Sequence, residues 1–428
     1  MTLLTTNPND SLRADTLDLL KRARQAAWTL ATTAGAQKDR WLDVLAQKLG
    51  EQKAEIQQAN QIDLENARKS GRSGAMVDRL RLDDRGILGL QKALAEIRAL
   101  PDPVGRLTGG EVRPNGLEVR RQRVPLGVIG IVYESRPNVT IDAAALCLKA
   151  GNSVVLRGGS EALHSNQALI QILRSSLLEC DLPPDAVQQP ASPERAAIEA
   201  LVSIPEGLDL CIPRGGIQLI EFINQVAKVP VIQHYQGVCH LYVHAAADLA
   251  QATQVVVNAK AQRPGVCNAL EAVLIDQAIA QQAVPAIVHA LHAAGVEVRG
   301  CERTLALTPE PVKLAQPSDY GQEFLDLICL VRIVDDLPGA VAHIRQYGSR
   351  HTEGILTRDI RAAQQFTQAV DASCIVVNAS TRFNDGGCLG LGAEIGISTS
   401  KLHAYGPMGL ESLTTERWLV LGDGQLRT

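Results

Sequence analysis

Leu126-Gly127-Val128-Ile129-Gly130-Ile131-Val132-Tyr133 is a short, nearly unbroken apolar run, and Glu134-Ser135-Arg136-Pro137-Asn138-Val139 follows it directly. So short a run reads as a strand, and its lack of polar alternation predicts that both faces are covered. Working outward, Ile141 to Ala150 is an alanine-rich apolar helix stopped by Gly151. Ser153 to Leu156 is the next strand, and Ala162 to Leu178 the next helix. Leu208 to Ile212, a Gly215-Gly216 turn and a helix from Ile217 to Val226 repeat the unit. Strand, turn and helix at this spacing predict an α/β protein with mostly parallel, open sheets.

Before this stretch, Leu17 to about Gly71 has helical period, with Leu17, Leu20, Ala23 and Ala27 in one stripe and Trp41, Val44, Leu45 and Leu49 in the next. Glu111 to Pro114 and Leu117 to Arg120 flank Asn115-Gly116, a tight hairpin composition. Arg120, Arg121 and Arg123 then form a basic strand that reads as solvated or subunit-facing. A second unit opens near Leu249 with a helix to Lys260, an Arg-Pro-Gly break, a strand Ala272 to Ile275 and a helix Gln277 to Ala294. Leu330 to Val334, His343 to Tyr347, Gly354 to Leu356 and Ile375 to Asn378 continue the alternation, and Trp418 to Leu421 is the last strand-like segment.

The chain has 428 residues, enough for two or three domains at roughly 150 residues each. Forty-two Lys plus Arg against 46 Asp plus Glu, with 3% aromatics, gives no bulk electrostatic reason to bind nucleic acid. No apolar run approaches the roughly 20 residues needed to span a bilayer, and Met1 to Asp10 lacks the basic and apolar regions of a signal peptide. A soluble cytoplasmic protein is expected. Nine scattered cysteines include no CxxC pair and read as reduced thiols. His240 and His244 fall four apart in a strand, about 13 Å along one face, so no metal site is expected.

GxGxxG and the phosphate loop GxxxxGK[ST] are both missing. Two other turns have phosphate-binding ingredients: Arg157-Gly158-Gly159-Ser160-Glu161, and Arg214-Gly215-Gly216. Each is a glycine turn before a helix N-terminus with an arginine beside it, although tight packing alone also explains such glycines. Cys267 follows a helix break, among small and polar neighbours, with Arg263 nearby to hold a thiolate. An inert loop cysteine is the alternative. Asn138, beyond the carboxyl end of the apolar strand, could donate to an oxyanion or merely form a turn.

Taken together these segments resemble the aldehyde dehydrogenase superfamily, and within it the γ-glutamyl phosphate reductases. The resemblance is carried by Val124 to Gly130 running into Tyr133 to Thr140, by Leu156-Arg157-Gly158-Gly159, and by Gln262-Arg263-Pro264 with Cys267-Asn268. It continues through Glu323-Phe324-Leu325-Asp326, Asn378-Ala379-Ser380-Thr381-Arg382-Phe383, Leu402-His403-Ala404 and Gly406 to Leu410. The resemblance implies Cys267 as nucleophile and Asn138 as oxyanion donor. It implies NADPH (as NADP+ in reverse) at Arg157, Gly158, Gly159, Ser160, Glu161, Arg214, Gly215 and Gly216, with Glu323 near the nicotinamide ribose. It implies reduction of L-glutamyl 5-phosphate to L-glutamate 5-semialdehyde through a thioacyl enzyme, the second step of proline biosynthesis. Ser135, Arg136, Arg263 and Arg382 are the candidate substrate contacts, although the arginines could instead clamp loops.

Two departures stand out. Gln233-His234-Tyr235-Gln236-Gly237 lies where hydrolytic members carry the glutamate that activates water, and it has no carboxylate. That absence suits an acyl group exchanged with phosphate. Arg157-Gly158 replaces the superfamily's usual Lys-Pro. The expected organisation is a cofactor domain (1–107 and 125–245), a catalytic domain (246–396) and an oligomerisation element (108–124 and 397–428) that makes a homodimer or homotetramer. Glutamate 5-kinase is a candidate partner. A reductase of other acyl groups, such as CoA thioesters, and a non-catalytic kinase-binding role are the rivals.

Overall fold

The structure is a computed structural model and describes residues 8–72, 74–232 and 236–427. It contains two compact units. The first takes the described residues of Met1–Gln233, Leu391–Gly396 and Met408–Thr428, and the second those of His234–Gly390 and Ile397–Pro407.

The first unit opens with five helices: α1 (Pro8–Leu30), α2 (Gly35–Glu51), α3 (Lys53–Lys69), α4 (Gly74–Leu80) and α5 (Asp84–Ala99). Their apolar stripes face inward, and Trp41 is fully buried with its indole N–H donating to Ser176 Oγ at 2.9 Å. Asp83 caps α5 by accepting from the Gly86 N–H. The hairpin strands β1 (Leu107–Val112) and β2 (Glu118–Pro125) follow, then β3 (Val128–Tyr133), α6 (Asn138–Lys149), β4 (Ser153–Gly158), α7 (Leu163–Glu179), β5 (Val187–Gln188), α8 (Arg195–Ser203), β6 (Leu210–Arg214) and α9 (Ile217–Val226). Every residue of β3 is buried, as its unbroken apolar run predicts. The parallel sheet runs β5-β4-β3-β6.

The second unit alternates β7 (Cys239–Val243), α10 (Leu249–Ala261), β8 (Leu270–Asp276), α11 (Ala280–Ala293), β9 (Glu297–Gly300), the short α12 (Glu302–Leu305), β10 (Lys313–Leu314), β11 (Ile328–Val334), α13 (Leu337–Tyr347), β12 (Thr352–Leu356), α14 (Ile360–Ala369) and β13 (Cys374–Val377). Its sheet runs β10-β9-β11-β8-β7-β12-β13, parallel throughout. The chain closes with β14 (Gly396–Ser398), β15 (Gly406–Met408) and β16 (Thr414–Leu421). β16 pairs antiparallel with β2, from Thr414 opposite Pro125 to Leu421 opposite Glu118, to make a three-stranded sheet β1-β2-β16.

No described helix is long and apolar enough to cross a membrane. The cysteines are free thiols, and Cys147, Cys211, Cys239 and Cys329 are wholly buried. Burial pushes the Cys211 and Cys329 thiols up to about 12, and those of Cys147 and Cys239 well above the ordinary range.

Candidate active site

In the first unit, β4 and β5 lie on one side of β3 and β6 on the other, so the strand order reverses between β3 and β6. Open parallel sheets leave a crevice at the carboxyl ends of strands at such a point. The segments that emerge there are Glu134 to Asn138 and Arg214 to Gly216. Glu134 ties them together. Its N–H donates to the Arg214 carbonyl at 3.1 Å, and its carboxylate accepts from the Gly216 N–H at 3.0 Å. Gly216 is the N-cap residue of α9, so the carboxylate satisfies a donor at the end where a helix leaves donors unpaired. A Cβ on Gly215 would stand 2.6 Å from the same carboxylate, so a side chain there would push Glu134 aside. Glu161 acts likewise on Ser135, accepting from its N–H at 2.5 Å and its hydroxyl at 3.0 Å. Those two bonds hold Ser135 at φ 49°, a region few non-glycine residues adopt.

Arg157 stands near the end of β4, 8% exposed, and donates to the Pro193 carbonyl. Burial lowers its pKa, while the carboxylates of Glu161 and Glu134 act in the opposite sense. Its Nε is buried with no hydrogen-bond partner, and the side chain lines a cavity with Gly158, Leu163, Gln167 and Ser192. Gly158 has no room for a Cβ, because Asn166 and Tyr133 pack against it. Gly159 is covered by the Glu161 carboxylate, and Ser160 is exposed.

Asn138 is the first residue of α6 rather than part of the loop. Pro137 already has helical φ and ψ, and the Thr140 N–H bonds the Pro137 carbonyl, so the helix starts earlier than its apolar run. Behind it, Tyr133 Oη and Thr140 Oγ1 lie 2.7 Å apart, and Thr140 Oγ1 donates to Asn166 Oδ1 at 2.9 Å. The exposed Asn138 side chain donates from Nδ2 to Asp142 Oδ2 at 3.0 Å. Burial raises the Asp142 pKa to about 6, against the opposing pull of the Asn138 hydrogen bond and the Arg214 charge.

In the second unit, half-buried Cys267 sits on the turn between α10 and β8, at the amino end of the sheet. Cys239 Sγ donates to the Cys267 carbonyl at 3.2 Å and lies 3.7 Å from His351 Nδ1. Asn268 Nδ2 donates to the Asn384 carbonyl at 2.9 Å, and Asn384 Nδ2 to Thr352 Oγ1 at 2.8 Å. A Cβ on Gly237 would overlap the Cys267 carbonyl group itself. The Gly237 backbone also hydrogen-bonds the Glu323 carboxylate, whose pKa is raised chiefly by burial. Lys260 and Glu271, both buried, pair at 2.7 Å, and Glu271 accepts from the Leu325 N–H at 3.4 Å. Arg382 Nε donates to Gln262 Oε1 at 2.9 Å, so it clamps the turn that carries Cys267. Arg263 is exposed on that turn.

The structure thus gathers Ser135, Arg136, Asn138, Arg214, Gly215 and Gly216 at the carboxyl ends of β3 and β6 in the first unit, with Arg157 to Glu161 at the end of adjacent β4. It gathers Cys267, Arg263, Arg382 and Glu323 in the second. Gln233, His234 and Tyr235 of the carboxylate-free segment lie outside the described residues. Sequence reading missed Glu134, Asp142, Gly237 and Cys239. Only Asp142 had a local signal, standing four residues beyond Asn138.

A model of the aldehyde dehydrogenase family matches residues 5–304. The gamma-glutamyl phosphate reductase of Desulfotalea psychrophila is 53% identical over 407 residues, covering 95% of this chain and 97% of that protein. The gamma-glutamyl phosphate reductase of Xanthomonas campestris is 51% identical, with 96% and 99% covered. The crystal structure of gamma-glutamyl phosphate reductase from Thermotoga maritima superposes with a TM-score of 0.95 at 44% identity, covering 97% of this chain and 100% of that one.

Proposed function

The chain belongs to the aldehyde dehydrogenase family, and we propose that it reduces L-glutamyl 5-phosphate to L-glutamate 5-semialdehyde with NADPH, releasing phosphate, in the second step of proline biosynthesis. The observation that carries this reading is the clamped turn around Cys267, in a chain 53% identical over 95% of its length to a gamma-glutamyl phosphate reductase.

The Cys267 thiolate attacks the γ-carbonyl carbon, and Asn138 Nδ2 with the Cys267 N–H holds the developing oxyanion. The C–O bond to phosphate breaks as the tetrahedral adduct collapses, which leaves a thioester on Cys267. Arg263 draws the leaving phosphate. A reduced nicotinamide, when bound, would supply the hydride, and the thioester carbon on Cys267 would accept it to become a thiohemiacetal. Its collapse, with the oxygen's proton lost, expels the semialdehyde and restores the thiolate. The segment Gln233 to Gly237 has no carboxylate to activate water, so the thioester is kept for reduction.

The residues fit a phosphorylated dinucleotide. The buried, unpartnered Arg157 Nε borders a cavity, and the turn Arg214-Gly215-Gly216 opens at a topological switch point. Arg157, Gly158, Gly159, Ser160 and Glu161, with Arg214, Gly215 and Gly216, hold the cofactor's phosphates and ribose, and Glu323 its nicotinamide ribose. Arg157 favours NADPH. Ser135, Arg136 and Arg382 receive the substrate's α-amino and α-carboxylate ends. The enzyme works in the cytoplasm, glutamate 5-kinase is its candidate partner, and β1, β2 and β16 join copies of the chain.

The test follows NADP+ reduction by absorbance with glutamate semialdehyde, with and without inorganic phosphate, for the native chain and Cys267→Ser. Phosphate-dependent turnover abolished by the substitution is expected. Turnover indifferent to phosphate, or surviving in Cys267→Ser, overturns the reading.

A further inference from the structure

We propose that Asp142 is a positioning residue that sets which end of the Asn138 carboxamide faces the substrate. The proposal rests on the reading of Asn138 as the oxyanion donor, and it names the group that makes that donor a donor.

A carboxamide has an N–H end and a carbonyl end of nearly equal shape, and only the first can stabilise an oxyanion. Asn138 is exposed and stands in the first turn of α6, where its own backbone does not decide between the two ends. Asp142, one turn on, accepts from Asn138 Nδ2 at 3.0 Å. With an ionised carboxylate there, rotating the amide by half a turn would set carbonyl oxygen against carboxylate oxygen, two acceptors without a proton. One amide N–H is therefore spent on Asp142, and the other is left for the substrate. The second carboxylate oxygen, Asp142 Oδ1, is buried and has no hydrogen-bond partner.

The restraint works only while Asp142 is ionised. A protonated Asp142 could donate to the Asn138 carbonyl, which would favour the wrong end. Burial places this change near pH 6. The charged group that faces Asp142 is Arg214 from β6, whose charge favours the ionised form. The rate should fall as pH drops through that region.

The test measures kcat and KM from pH 5 to 8 in the phosphate-dependent oxidation of the semialdehyde. The variants are Asp142→Asn, Asp142→Glu, Asn138→Ala and the double variant Asp142→Asn with Asn138→Ala, each checked for a native melting transition. Asp142→Asn cannot tell the amide's two ends apart, so the N–H end faces the substrate about half the time and kcat should fall about twofold with little change in KM. It should also flatten the acid limb, whereas Asp142→Glu keeps a carboxylate and restores the limb. Asn138→Ala should cost about a hundredfold or more, and the double variant should be no slower. If Asn138→Ala is slow while Asp142→Asn keeps the native kcat and acid limb, the proposal falls and the oxyanion reading stands. An equal loss from Asp142→Asn in the Asn138→Ala background also overturns it. Native kcat in Asn138→Ala overturns the oxyanion reading and this proposal together.

Discussion

At the scale of single residues, the position of Cys267, the proposed nucleophile, depends on an absence. Gly237 has no side chain, and the space a Cβ would take is filled by the Cys267 carbonyl group. Gly237→Ala must push the Cys267 turn aside, and displacements near 1 Å of a reacting group can cost about a hundredfold in rate. We expect kcat to fall by about that factor, and native kcat in the variant would refute this. This constraint was invisible in the sequence, because Gly237 and Cys267 are far apart along the chain and meet only through the neighbouring strands β7 and β8. The turn that carries Cys267 was legible as a helix break among small and polar residues, whereas the role proposed for the thiol came from the family resemblance and not from the turn itself. Asp142 was missed for another reason. Its apolar followers made the helix seem to start at Ile141, which hid the one-turn spacing to Asn138.

At the scale of elements, α10 and β8 are joined by the buried pair of Lys260 and Glu271, directly behind the turn that carries Cys267. Burial raises the Glu271 pKa to about 7, above its ordinary value. The folded chain therefore holds this proton more tightly than the unfolded one, so this group's contribution to stability falls as pH rises from about 4.5 through 7. Lys260→Met leaves the carboxylate without its cation, and breaking such a pair costs about 3–5 kcal/mol. The loss in urea midpoint should be larger at pH 8.5 than at pH 5.5, and equal losses at both would contradict the account. Elements with a continuous local pattern, such as β3 and α6, were legible from the apolar run alone. α4 and α5 were not read. The cue for α5 is a single capping residue, Asp83, and its inward stripe takes its meaning from packing on α2 and α6.

At the scale of the whole molecule, the three-stranded sheet is unfinished. Leu107 and Val112 on β1 and Trp418, Val420 and Leu421 on β16 are exposed, and both strands are edges of that sheet. Open edges carrying apolar side chains are covered in stable proteins. We expect a dimer or larger assembly by size-exclusion chromatography with light scattering, shifted toward monomer by Val112→Lys with Val420→Lys. A native chain that runs as a monomer would remove the sheet as an interface. The two parallel sheets were legible as alternation, but the pairing of β2 with β16 was not fixed by any local pattern, because it joins segments from opposite ends of the sequence. The buried thiols have a consequence of a different kind. Cys147 and Cys211 lie in the first unit, Cys239 and Cys329 in the second, and none presents a reactive surface to solvent. A thiol reagent meets them only when the structure around them comes apart. The native chain therefore carries its own pair of clocks, one per unit, and the order in which its thiols are labelled would tell which half lets go first without any tag, dye or substitution.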